Sequence, residues 1–120
     1  MSSTVENLRI FSNENFKLSL EITDVNGDVP DFTGAAAAMA IRETPESEEA
    51  ILYIVSIVNG EIVLDAETGI LTIDVPFSTV SSWEFTTGYY DVVIMYSEDD
   101  QDTVLGGRVK LVQGITRPPL

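Results

Sequence analysis

The chain has no cysteine and no histidine. Without cysteine there is no disulfide, no thiolate nucleophile and no thiolate metal site. Without histidine the commonest general base and the commonest zinc ligand are missing. Basic residues are scarce too: six Lys and Arg stand against twenty Asp and Glu, for a net charge of −14. The six bases, Arg9, Lys17, Arg42, Arg108, Lys110 and Arg117, are scattered along the chain. A nucleic-acid interface needs a positive surface that neutralises phosphates and releases counterions, so no nucleic acid is expected as a partner. An anionic membrane surface is disfavoured on the same ground. No apolar run approaches the ~20 residues that cross a bilayer. Residues 1–7 lack the basic and apolar segments of a signal peptide, so synthesis in a cytoplasm is expected.

What the chain does have is enough apolar residue for one core. It is 120 residues long and 44% hydrophobic, the size and composition of a single globular domain. The acid excess favours solubility, a basic protein partner or divalent cations, and its plainest reading is a solvated exterior.

Period-2 patterning dominates. Phe16, Leu18, Leu20 and Ile22 alternate with Lys17, Ser19, Glu21 and Thr23, the signature of a strand with one buried and one wet face. Asn26-Gly27 and Asn59-Gly60 mark turns that tolerate positive φ, the second read as a hairpin from residues 51–58 into 61–64. Phe32 is expected to plug the core from a crossing segment around Pro30. Residues 35–42, with four consecutive alanines, have high helix propensity. The run is too short for propensity to carry it alone, and the surrounding β pattern makes it a strand. Leu71, Ile73 and Val75 alternate with Thr72 and Asp74. Residues 89–96 are apolar on both faces, as in a central strand. In residues 103–112, Val104, Gly106, Arg108 and Lys110 are assigned to one face and Leu105, Val109 and Leu111 to the core, with a bend at Gly106-Gly107. Residues 78–83 break the pattern and read as one short helical turn capped by Ser78, with Val80 and Trp83 facing inward.

Seven to nine short strands, with turns about every 8–12 residues, imply an all-β, antiparallel sandwich over residues 8–113. Residues 1–7 read as a flexible N-terminal arm. Residues 114–120, with Pro118 and Pro119, read as an extended C-terminal tail.

No catalytic set is visible. Ser78, Ser81 and Ser82 have no histidine to activate them. No pair of carboxylates is singled out for glycoside chemistry. Gly106-Gly107 lacks the spacing and lysine of a phosphate loop. Asp24, Asn26 and Asp28 place oxygens at alternate positions, as a calcium loop does, but Val29 and Ala35 stand where an EF-hand has Gly and Glu. A turn is the better reading, so no metal and no cofactor are expected. Glu98, Asp99, Asp100 and Asp102 form the densest acidic cluster, read as a five-residue hairpin loop that is either solvated or meets a basic partner. Trp83, Tyr89 and Tyr90 suggest either a sugar-stacking platform or, more commonly for a tryptophan in a sandwich, core packing.

The order of these phrases carries a resemblance. Asp24 to Asp28, Phe32 to Ala35, Ile41-Arg42, Gly69 to Ile73, Gly88 to Val92 and Gly106 to Leu111 follow one another between Leu8 and Arg117. In this order the chain resembles the small immunoglobulin-like virion modules of tailed bacteriophages, similar to the N-terminal module of phage baseplate upper proteins. The resemblance implies an immunoglobulin-like β-sandwich with no catalytic residues. It implies a non-enzymatic structural protein of the phage particle, docked on other virion proteins in tail, baseplate or neck, as a homo-oligomer or symmetric array. Relatives often continue into a larger fibre region, so an accessory role is expected of a chain ending at Leu120. The hairpin acids and the tail residues Arg117, Pro118 and Pro119 are the expected partner contacts. Two alternatives stay open: a capsid decoration protein on the outer head, and a glycan-binding module for host recognition.

Overall fold

The computed structural model describes residues 4–24, 26–46, 52–54 and 60–115. Within them are nine strands: β1 (Thr4–Val5), β2 (Leu8–Phe11), β3 (Phe16–Glu21), β4 (Ala36–Arg42), β5 (Leu52–Ile54), β6 (Ile62–Leu64), β7 (Ile70–Val75), β8 (Thr87–Ser97) and β9 (Asp100–Val112). One short helix, α1 (Phe77–Val80), joins β7 to β8. The strands form two sheets. The first runs β1-β9-β8-β4-β5, with β2 also on β9; the second runs β3-β7-β6. The chain changes sheet between β2 and β3, β3 and β4, β5 and β6, and β7 and β8, which stacks the two sheets around one core.

Alternation decides what enters that core. Ala37, Met39 and Ile41 of β4, Leu71, Ile73 and Val75 of β7, and Tyr90, Val92 and Ile94 of β8 are buried. The alanine run is therefore a strand, paired with β8 from Ala36–Met95 to Arg42–Tyr89. Sheet packing overrides its helix propensity. Phe32 is buried as expected, and it stacks on Tyr96 with ring centroids 6.3 Å apart. At the other end of the sandwich Trp83 meets the edge of Phe16 at 6.4 Å and tilts against Phe85 at 6.2 Å. Val80 is fully buried beside them in the core cluster.

Several expectations are corrected. Residues 4–7 are no free arm: β1 pairs with β9, and Glu6 N–H donates to the Gly106 carbonyl at 2.9 Å. Both β1 and β2 run parallel to β9, so the first sheet is mixed rather than wholly antiparallel. The described strands flanking Asn59-Gly60 pair elsewhere, β5 with β4 in the first sheet and β6 with β7 in the second, and the hairpin expected from 51–58 into 61–64 turns on the residues between them. Residues 55–59 themselves lie outside the described residues. Ser78 does not cap α1. Pro76 holds the N-cap position, and the first helical N–H, that of Phe77, donates to Asn15 Oδ1 at 2.7 Å. Ser81 and Ser82 instead donate back to the carbonyls of Ser78 and Thr79.

The last strand also departs from simple alternation. Val92 pairs with Leu105 but Val93 pairs with Thr103, so Val104 is the extra residue of a β-bulge. Val104 and Leu105 are consequently both buried, where strict alternation puts Val104 outside. The irregularity sits two residues before the glycine pair expected to bend the strand. Gly107 has a different use: a side chain there would collide with the Glu6 carbonyl, so its bareness lets the N-terminal segment close on β9.

Candidate functional site

Folding assembles a cluster that the linear order hides. Four of the six bases, Arg9, Arg42, Arg108 and Lys110, lie at one end of the first sheet. Each alternates with a buried neighbour: Ile10, Ile41, and Val109 between the last two. Their side chains therefore stand on the outer face. Strand register sets them in two cross-strand rows. Arg42 pairs with Tyr89, and Tyr89 with Arg108. Lys110 pairs with Thr87 on one side and Arg9 on the other. The Arg108 guanidinium lies 5.5 Å from the Tyr89 ring centroid, within cation–π range. Asp91, also on the outer face, is diagonal to Arg42 and Arg108.

The N-terminal segment braces this end. Asn7 Oδ1 accepts the Arg108 backbone N–H at 3.1 Å. The partly buried Tyr90 hydroxyl donates to the Glu6 carbonyl at 2.6 Å. Burial, and secondly the Glu6 charge, push the Tyr90 phenol up to about 12. Three depressions open to solvent adjoin the face; Tyr89 borders two of them and Arg108 borders two. All are shallow hollows of a sheet surface, suited to contact rather than to enclosing a substrate.

The acidic hairpin lies at the other end of β8. Ser97 pairs with Asp100, so only Glu98 and Asp99 form the turn, and Asp100, Gln101 and Asp102 belong to β9. The expected five-residue loop is thus a two-residue turn. Asp102 pairs with the buried Ile94, which puts it on the inner side of the strand near Tyr96. The Tyr96 phenol is raised, first by burial and then by the charges of Asp102 and Asp100. Its hydroxyl has no hydrogen-bond partner among the described residues.

Asp24, Asn26 and Asp28 make a turn. Asp24 Oδ1 accepts the N–H groups of Asn26 at 2.8 Å and Asp28 at 3.0 Å, and the Asp24 N–H donates to the Asp28 carbonyl. Among the described residues no three acids, histidines or cysteines gather as a metal would need. Asp65 does the same work in the β6–β7 turn, accepting from Glu67 and Thr68. Those backbone bonds hold its carboxyl below the usual range. Asp31 is lowered likewise, by the side chain and then the backbone N–H of Thr33. The aromatic platform does not assemble: Trp83 and Tyr90 are buried in the core while Tyr89 stands outside under Arg108. Arg117, Pro118 and Pro119 lie outside the described residues. Sequence reading missed the basic cluster because Arg9 and Arg42 join Arg108 and Lys110 only through register; the alternation of Arg108 and Lys110 was its one local signal.

No family model and no curated protein matches the chain. A solved structure does: the extracellular domain of the voltage-gated sodium channel β4 subunit, described as a parallel homodimer that explains that subunit's role in cell–cell adhesion. The likeness covers 96% of this chain and 97% of that one, at a TM-score of 0.53 and 12% identity. At that identity the likeness is one of fold, an immunoglobulin-like β-sandwich.

Proposed function

We propose that the chain is a non-enzymatic structural component of a tailed-phage particle, docked on other virion proteins in the tail, baseplate or neck. The observation that carries this is the ordered series of turn and strand phrases between Leu8 and Arg117 that resembles phage virion modules. The geometry is in keeping with it. The sandwich offers flat sheet faces and shallow hollows instead of a cleft, and its conspicuous carboxylates close turns. The chain contacts its neighbours in a repeated, symmetric setting, and the acidic hairpin and basic sheet end are the surfaces for that contact. Decoration of the outer head is the second placement within the same class. A glycan-binding role has lost its aromatic platform, since Trp83 is buried.

Mass spectrometry of purified particles is the direct test, and the chain is expected at a fixed, symmetry-related copy number. Its absence from particles, or micromolar glycan binding by the isolated chain, would sink the structural role.

A further inference from the structure

The outer face of the first sheet changes character along its strands. At one end stand Arg42, Arg108, Lys110 and Arg9 around Tyr89. Across its middle the outward positions are Ala36, Ala38 and Ala40 on β4 and Val93 and Met95 on β8, all half-buried. The alanines keep this stretch flat, and among the described residues no charged one interrupts it between Asp91 and the far end. At that end the Glu98-Asp99 turn closes β8 onto β9, with Asp100 behind it. The sequence of basic, apolar and acidic surface is centred on the cross-strand pair Ala38–Val93, midway between Tyr89 and Ser97.

We infer that this face docks on the same face of a second copy, antiparallel, about a two-fold axis passing beside Ala38 and Val93. An axis along the strands would lay arginines on arginines. An axis across them lays Arg42 and Arg108 of each copy against the Glu98-Asp99 turn of the other, and the alanine-rich middle against itself. Asp91 keeps its own diagonal neighbours, Arg42 and Arg108, as counter-charges, and Glu6 and Glu43 remain at the rim. The stretch from Tyr89 to Ser97 is about 26 Å long, and β4, β8 and β9 run along it with shorter strands beside part of it. The contact therefore falls below the roughly 800 Å² per partner of a standard interface and makes a weak dimer. The contact is isologous and closes on itself, so it makes a dimer and not a filament. It rests on the docking role proposed above for its setting, and it is tested on the isolated full-length chain.

Sedimentation velocity across micromolar concentrations is expected to show a monomer–dimer equilibrium. Val93→Arg, or independently Ala38→Arg, places two like charges at the axis and leaves a monomer with an unchanged circular dichroism spectrum. Arg108→Glu weakens the dimer about tenfold or more, and adding Glu98→Arg and Asp99→Arg to it restores association. With no native cysteine, orientation is read directly. Thr87→Cys mixed with Asp99→Cys gives a thiol cross-linked dimer, while Thr87→Cys alone gives none. A wild-type chain that stays monomeric, a dimer unmoved by both axis variants, or efficient Thr87→Cys self-linking overturns the inference. A monomeric chain found in particles removes this interface and leaves the virion role standing; a dimeric chain absent from particles does the reverse.

Discussion

The two sheets share one rule on their inner faces and differ on their outer ones. On the second sheet, Lys17 sits directly across from Asp74, and Ser19 across from Thr72. Opposite charges are neighbours there, hydroxyls fill the middle, and the exposed apolar residues Val63 and Ile70 stand singly. On the first sheet four bases gather at one end around Asp91, the acidic turn closes the other, and small residues fill the space between. Both patterns come from the same alternation. One sets its lysine directly across from an aspartate. The other sets most of its bases apart from its acidic turn.

The largest expected effect tests what the sheets share. Ile73→Ala, at a fully buried position of β7, should cost about 2–5 kcal/mol in chemical denaturation. Val93→Ala, one residue from the core on the outer face of β8, should cost under about 1 kcal/mol. Equal losses would mean that Val93 is part of the core and that the outer-face contrast is false.

The next effect belongs to the first sheet alone. Tyr90 is raised from 10.0 to about 12 in the folded chain, so its contribution is intact below pH 10 and fades as pH rises toward 12. The hydroxyl is only partly buried, so solvent screening should keep the loss across that window to about 1–2 kcal/mol. Tyr90→Phe should remove this alkaline loss while costing about 1 kcal/mol at neutral pH for the bond to Glu6. A variant whose alkaline unfolding matches the wild type would remove Tyr90 from the account.

Gly107→Ala should be comparable or a little smaller, about 1–2 kcal/mol, because the Glu6 carbonyl must retreat and β1 loses its seat. Hydrogen exchange localises it: the Glu6 amide should lose protection while the β3–β7 ladder keeps it. Smallest is Lys17→Glu, which puts two acids opposite each other on the second sheet. It should cost about 0.2–1 kcal/mol and leave self-association untouched, in contrast to Arg108→Glu.

Much of the fold was legible wherever one face of a strand is buried and the other wet. The alternations at residues 16–23 and 70–75 announced β3 and β7, and Val80 and Trp83 were placed inward from their spacing alone. Less legible was whatever depends on a distant partner. Thr4 and Val5 become a strand only because Gly107 lets Glu6 approach β9. Val104 changes face because of a bulge that no local residue announces. Grouping Arg9 and Arg42 with Arg108 requires knowing that β2 and β8 flank β9 and that β4 flanks β8. The Asp24 turn was readable because an aspartate two residues before a turn amide closes it locally. The basic sheet end was not, since it is made wholly of cross-strand register.

The parallel pairing of β1 and β2 with β9 has a mechanical meaning. Thr4 and Val5 lie beside Leu105 and Gly106, and Leu8 to Phe11 beside Val109 to Val112. The first strand therefore enters from the acidic end, and the last strand leaves at the basic end. Tension applied between those two points pulls β1–β2 and β9 past each other along their length. Their hydrogen bonds are loaded together in shear, and none can be peeled open ahead of the rest. Gly114, whose N–H reaches Ser12 Oγ at 2.8 Å, adds a bond at the exit itself. A module built this way resists being drawn out between its neighbours, and it carries a stretching load through its ends before its core is disturbed.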